Sequence, residues 1–107
     1  MNIWDELGKL EGKTLSTLDQ RKPFDVLEVS AQGMIIRPHE TDTERKIRRH
    51  EIEDAYRRLT AIGELTRSEI REEFSKFNPA YVAAILAELP NVKYARKPIR
   101  LWVTGNS

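Results

Sequence analysis

Basic side chains are concentrated in two segments of this sequence, and their shared chemistry is attraction to phosphate. Residues 45–58 carry a net charge of +3, and residues 89–107 carry +4 without a single acidic residue. Clustered lysine and arginine side chains are typical of surfaces that contact the phosphates of nucleic acid. The alternative is a solvated surface on which the two signs of charge happen to separate. The candidate nucleic-acid contacts are Lys93, Arg96, Lys97, Arg100, Arg45, Lys46, Arg48 and Arg49.

Each basic segment also has a purely structural interpretation. Tyr94 and Trp102 alternate with the second set of cations, so they either stack on bases or pack as cross-strand partners within a hairpin. We favour the packing role for these two aromatic residues, because large aromatic side chains tend to be buried. The cations at 45–49 would equally suit an edge strand that uses charge to prevent sheet-to-sheet association.

Residue patterns for catalysis are weak. His39 and His50 lack the spacing of paired metal ligands, and the chain has no cysteine for a disulfide or thiolate zinc site. Asp25 followed by Glu44-Arg45-Lys46 resembles the Asp…Glu-x-Lys core of metal-dependent nucleases, in which two carboxylates hold Mg²⁺. Glu44 lies in a polar loop, however, and the surrounding pattern lacks the mixed α/β core of those enzymes. The sequence therefore predicts a non-catalytic protein without cofactor or metal, with a nuclease as a weak alternative.

The first half of the chain predicts a short helix followed by an antiparallel β-meander. Apolar residues at 3, 4, 7 and 10 fall on one side of a helix over residues 2–10. Strands follow over residues 14–18, 24–29, 34–37 and 45–48, with a turn at Gly33 and a stop at Pro38. We assign residues 1–49 to this part, and residues 50–107 to a second part within one compact unit. The expected fold class is α+β.

The second half contains three predicted helices and a terminal hairpin. An apolar stripe ending at Ile62 predicts a first helix, which Gly63 stops. Thr66 and Glu69 form a capping box that begins a second helix. Asn78 is the expected N-cap of a third helix, with Pro79 at its first position. Each of these helix starts has a predicted hydrophobic staple: Leu65 with Ile70, and Phe77 with Val82. Strands over residues 92–94 and 99–103 are predicted to form the hairpin.

Residues 52–103 resemble a winged helix-turn-helix domain in their order of helix, short strand, two helices and hairpin. The resemblance implies binding to nucleic acid, or to another protein, since winged helices serve both purposes. In DNA-binding members the third helix enters the major groove. Here that helix has no lysine or arginine, and only Asn78 and Tyr81 could reach a nucleic acid, so Tyr81 joins the candidate contacts. We therefore expect nucleic acid to bind at the hairpin, which is called the wing in this family, and not at this helix.

An alanine-rich face on the same helix suggests a second function. Ala80, Ala83, Ala84 and Ala87 are expected on its exposed side, where either the meander or a partner subunit would cover them. A protein-interaction or homodimerisation module is thus the alternative to nucleic-acid binding. The N-terminal residues show no signal-peptide pattern, and no apolar run is long enough to span a bilayer. We accordingly expect a cytoplasmic protein without a membrane partner.

Overall fold

The computed structural model describes residues 2–104 of the 107-residue chain. Its first half is a short helix, α1 (Ile3–Gly8), followed by four strands: β1 (Thr14–Ser16), β2 (Pro23–Ser30), β3 (Gly33–Pro38) and β4 (Arg45–Arg48). The strands form one antiparallel sheet in the order β1-β2-β3-β4. The predicted meander is confirmed, with β4 at the edge of the sheet.

One face of this sheet forms part of the core because apolar residues alternate with polar ones along each strand. Phe24, Val26, Met34, Ile36 and Ile47 are all buried. The helix α1 is tied to the sheet by the indole of Trp4, whose Nε1 donates a hydrogen bond to the carbonyl oxygen of Ser30 at 2.8 Å. Pairing between β2 and β3 shifts between Val26 and Glu28, so the strand carries a bulge at that point.

The second half contains the remaining helices and a second sheet. Its elements are α2 (Arg49–Ile62), β5 (Glu64–Thr66), α3 (Arg67–Glu69), a π-helical turn (Ile70–Phe74), α4 (Pro79–Leu86), β6 (Val92–Arg96) and β7 (Ile99–Val103). The three strands are antiparallel in the order β5-β7-β6. With two antiparallel sheets and four α-helices, the fold class is α+β, as the sequence predicts.

Local sequence signals set the ends of these helices. Gly63 ends α2 with a φ of 97°, a conformation that glycine adopts without a steric penalty. The predicted capping box at α3 is present: Thr66 Oγ1 accepts a hydrogen bond from the Glu69 amide at 3.2 Å, and Glu69 Oε1 accepts one from the Thr66 amide at 2.8 Å. Ile62 is 71% exposed, so its predicted place on the buried stripe of α2 is wrong.

A π-helical turn follows α3. The sequence does not predict this turn. The Ser75 amide donates to the Ile70 carbonyl at 2.7 Å, which is the wider i→i+5 bond of a π-helix. Ser75 is buried, and its hydroxyl is hydrogen-bonded to Glu51 of α2. This hydrogen bond links the turn to α2, a contact that helical periodicity does not reveal.

The helix α4 lies inside the molecule. Its predicted apolar residues Val82, Ile85, Leu86 and Leu89 are buried. Ala83 and Ala84 are also buried, because α4 contacts β1 of the first sheet as well as α2 and α3. The expectation of an exposed alanine face is therefore wrong for these two residues. The chain itself covers that face, which was one of the two coverings that the sequence suggested.

Within residues 2–104, no helix combines the length and the apolar character that crossing a membrane would require.

Candidate nucleic-acid interface

Two adjoining clefts lie at the junction between the two halves of the chain. They have volumes of about 250 and 340 Å³, and both are walled in part by Asp19 and Arg67. The first cleft lies between the β1–β2 loop, the start of β4 and the start of α4. The second lies between the start of α3 and the tip of the β6–β7 hairpin, where Arg96 stands. We call the two clefts together the groove.

Arg45 is the best-positioned cation of the groove. Its guanidinium carbon lies 5.5 Å from the ring centroid of Tyr81, within the range of a cation–π interaction. Its Nη1 donates to the Phe77 carbonyl at 3.3 Å and to Asn78 Oδ1 at 3.1 Å. Tyr81 is held in turn by an edge-to-face contact with Phe24, with ring centroids 5.1 Å apart. The guanidinium is thus fixed in place, and most of its five N–H donors remain available to a ligand.

The contacts of Arg45 change the predicted start of α4. Asn78 occupies the N-cap position, but its side chain makes no capping hydrogen bond. Its Oδ1 accepts from Arg45 instead, since a hydrogen bond from a charged donor is stronger than one from a backbone amide. The expectation that Asn78 is occupied as a side-chain cap is therefore wrong.

The predicted staple between Phe77 and Val82 is also wrong. Phe77 is 77% exposed, while Val82 is completely buried. Asn78 has φ −129° and ψ 36°, instead of the extended backbone that is usual at an N-cap, so the chain enters α4 in a different direction. This turns the Phe77 ring outward to the wall of the first cleft.

Carboxylates in the groove are already paired with cations. Asp19 accepts from Arg67 at 3.4 Å, and Glu40 pairs with Lys22 at 2.9 Å. Among residues 2–104, neither Arg45 nor Arg96 has a carboxylate within ion-pairing distance. The groove therefore has an excess of positive charge. Lys22 and Arg67 were not predicted as site residues, because each lies in a segment whose net charge is negative and only the fold brings them here.

The hairpin divides its four cations between two faces. Along β6 and β7, Lys93 is paired with Trp102 and Ala95 with Arg100, so Lys93 and Arg100 share the face opposite the buried Leu101. Arg96 lines the groove, and Lys97 follows it in the hairpin loop. Of the four hairpin cations, Arg96 is therefore the one that the structure places in the wall of the groove.

Side chains on the outer face of the hairpin interact with one another. The Arg100 guanidinium lies 4.8 Å from the ring centroid of Trp102, and its Nη1 is 3.2 Å from Glu64 Oε2. Trp102 is partly buried, while Tyr94 is 38% exposed and is paired across the strands with Leu101. Trp102 is paired with Lys93, so the two aromatic residues lie on opposite faces of the hairpin. The packing role that we favour fits the partly buried Trp102, whereas Tyr94 is exposed.

The cations of β4 are also divided by strand alternation. Lys46 and Arg48 lie on the side opposite the buried Ile47, where they line a separate cleft with His50 and Glu53. Arg49 makes contacts with other residues of the chain. Its guanidinium carbon is 4.9 Å from the Trp4 ring centroid, and its Nε is 3.0 Å from Glu53 Oε2. Of the predicted sites in this segment, only Arg45 reaches the groove.

The carboxylate of the nuclease-like pattern is held by other side chains of the sheet. Asp25 accepts hydrogen bonds from Thr14 Oγ1 at 2.6 Å and Arg37 Nη2 at 3.5 Å, and His39 Nε2 lies 2.9 Å away. The Thr14 hydrogen bond, followed by that of His39, lowers the pKa of Asp25 to about 2 from an ordinary 3.8. Among residues 2–104, no three histidine, aspartate or glutamate side chains are grouped as metal ligands would be.

No protein-family model matches this chain, and neither a curated protein nor a solved structure is significantly similar to it. What the chain binds must therefore follow from its own geometry and charge.

Proposed function

We propose that this chain is a small, non-catalytic, cytoplasmic domain that binds nucleic acid through phosphate contacts along the groove and the adjoining hairpin tip. One observation carries the proposal. Arg45 from the first basic segment and Arg96 from the second stand in the walls of adjoining clefts. The two segments are far apart in sequence, and each contributes a cation that lacks a carboxylate partner among residues 2–104.

The order of elements supports a winged-helix interpretation of residues 49–104. Helix α2, strand β5, helices α3 and α4 and the β6–β7 hairpin follow one another as they do in that family, and the sheet order is β5-β7-β6. In this chain α4 cannot enter a major groove, because residues 82–86 are all buried. The hairpin and the groove are therefore the surfaces through which such a module would bind.

Charge at the hairpin tip agrees with contacts to phosphate rather than to bases. Arg96 and Lys97 are exposed, and the segment from residue 89 onwards contains no acid to compete for them. Contacts of this kind position a nucleic acid without reading its sequence. The absence of cysteine agrees with a reducing compartment. Homodimerisation through the alanine face receives no support, because the chain itself buries Ala83 and Ala84.

Fluorescence anisotropy with labelled oligonucleotides tests the proposal. The purified chain should bind a single strand or a duplex at about 50 mM salt, and its affinity should fall steeply by about 200 mM, because binding releases counterions from the phosphates. Absence of binding to both oligonucleotides at about 50 mM salt would refute the proposed function. Affinity that is unchanged between the two salt concentrations would refute the phosphate mechanism.

A further inference from the structure

Building on the proposed function, we infer that the groove holds a single strand of nucleic acid and that one unstacked base lies against the ring of Phe77. The same side chain would have little to contact on a duplex. The aromatic ring is exposed, cations lie near it, and the helix that would otherwise read double-stranded DNA is largely buried.

The residues around Phe77 suggest a binding role for its exposed ring. A single exposed apolar side chain is common on protein surfaces and needs no explanation by itself. Phe77, however, forms part of the wall of the first cleft, and its own carbonyl accepts a hydrogen bond from Arg45. Lys76 Nζ lies 5.8 Å from its ring centroid. The exposed ring therefore has one cation over it, and a second cation is bound to the carbonyl of the same residue.

An exposed aromatic ring beside cations matches the way proteins hold single strands. Such sites combine a positively charged path for the backbone with aromatic side chains on which bases stack. In a duplex the faces of internal bases are covered by their neighbours, whereas the unstacked bases of a single strand are free to stack on an aromatic ring. Phe77 can contact a base face only in the second case.

The path for the backbone follows from the residues that the two clefts share. Phe77 and Arg45 line the first cleft, and Arg96 lines the second beside the hairpin loop. The two clefts meet at Arg67, which is ion-paired with Asp19. The helix α4 is not available to a duplex, because it is packed against the first sheet and the other helices. Single-stranded DNA and RNA share the two chemical features that the groove fits, exposed base faces and a phosphate backbone.

The test compares three ligands and three variants of the full chain. The ligands are a labelled DNA strand of about 12 nucleotides, the RNA strand of the same sequence and the DNA duplex, all at about 50 mM salt. We expect at least one single strand to bind more tightly than the duplex. Phe77→Ala should weaken single-strand binding by roughly 5- to 150-fold, the loss expected for one base–aromatic stack, and should leave duplex binding unchanged. Phe77→Tyr should retain the wild-type affinity.

Ile62→Ala is the matched control, because Ile62 is 71% exposed and lies outside the groove. Both side chains are largely in solvent, so circular dichroism of the two alanine variants should match that of the parent. Equal affinity for strand and duplex, with Phe77→Ala binding as the parent does, would overturn the inference and leave the proposed function standing. Failure of all three ligands to bind would overturn the proposed function and this inference with it.

Discussion

Arg45 and Asn78 are joined by a hydrogen bond of 3.1 Å between Nη1 and Oδ1, although 33 residues separate them in the sequence. The bond links β4 of the first sheet to the start of α4. It replaces the helix cap that Asn78 would otherwise provide, and it holds the Arg45 guanidinium at the groove. A contact between the two halves of the chain thus determines the geometry of the candidate site.

A double-mutant cycle should measure this link. Arg45→Ala and Asn78→Ala should each reduce the free energy of unfolding, and their effects should be coupled by about 0.5–1 kcal/mol, the net contribution of one hydrogen bond to a solvent-exposed cation. Urea unfolding of the single and double variants provides the four values. A matched cycle of Arg45→Ala with Asn2→Ala, whose side chain caps α1, should show no coupling. Additive effects of Arg45→Ala and Asn78→Ala would contradict the assigned bond.

Burial of α4 predicts that Ala84→Arg disrupts the fold. Ala84 is only 2% exposed, so an arginine there must either displace neighbouring side chains or bury an unpaired charge. We expect a loss of at least about 3 kcal/mol in the free energy of unfolding. Ala61→Arg, at an exposed position of α2, should change it by less than about 0.5 kcal/mol. If Ala84→Arg were as stable as the parent in thermal unfolding, the assigned packing of α4 would be incorrect.

Gly33 marks a close approach between β3 and the end of β4. Its φ is 154°, and a Cβ at this position would overlap the carbonyl oxygen of Ile47. Gly33→Ala should therefore lower the free energy of unfolding by more than about 2 kcal/mol, because the obstructing atom belongs to the backbone. Gly8→Ala in α1, where nothing lies within 4 Å, should be neutral or stabilising by up to about 1 kcal/mol. Equal stability of the two variants in urea would contradict this explanation of Gly33.

Local signals in the sequence were sufficient for most of the secondary structure. The end of α2 at Gly63 and the start of α3 at Thr66 follow from conformational preferences and short-range hydrogen bonds, which neighbouring residues determine by themselves. Alternation of apolar residues likewise indicated the paired strands. The π-helical turn is not predicted, because helical periodicity does not reveal the i→i+5 bond from Ser75 to Ile70. The Ser75 hydroxyl is also hydrogen-bonded to Glu51, 24 residues away.

Fewer residues of the candidate site can be predicted from the sequence, because contacts between distant segments form the site. Charge clustering identified Arg45 and Arg96, but it also selected Lys46 and Lys93, which strand alternation directs to other surfaces. Charge clustering does not select Arg67, because its segment, residues 59–88, has a net negative charge. In a groove assembled from distant segments, clustering in the sequence reveals only some of the cations. Spacing alone predicts a staple for Phe77, because it cannot show how the chain turns at the following residue.

The hydrogen bonds to Asp25 predict that the free energy of unfolding depends on pH in the acid range. Because folding lowers the pKa of this carboxyl to about 2 from 3.8, its ionised form stabilises the fold above pH 4. That contribution is lost as the pH falls from about 4 towards 2, since the proton is then bound in both states. Thr14→Val should raise the pKa of Asp25 towards 3.8, measured by carbon-detected NMR titration of the carboxyl. Thr60→Val, on the exposed side of α2, should leave it unchanged, and an Asp25 that titrates near 3.8 in the parent would refute the assignment.

The hairpin tip predicts a measurable change in the salt dependence of binding. If Arg96 and Lys97 each contact a phosphate, replacing both by glutamine should reduce the slope of log affinity against log salt by up to about 2, and should weaken binding to all sequences alike. Arg71→Gln is the control, because Arg71 is exposed and lies outside the groove and the hairpin. The slope is obtained from anisotropy titrations at several salt concentrations. A double variant whose slope equals that of the parent would show that the hairpin tip makes no phosphate contact.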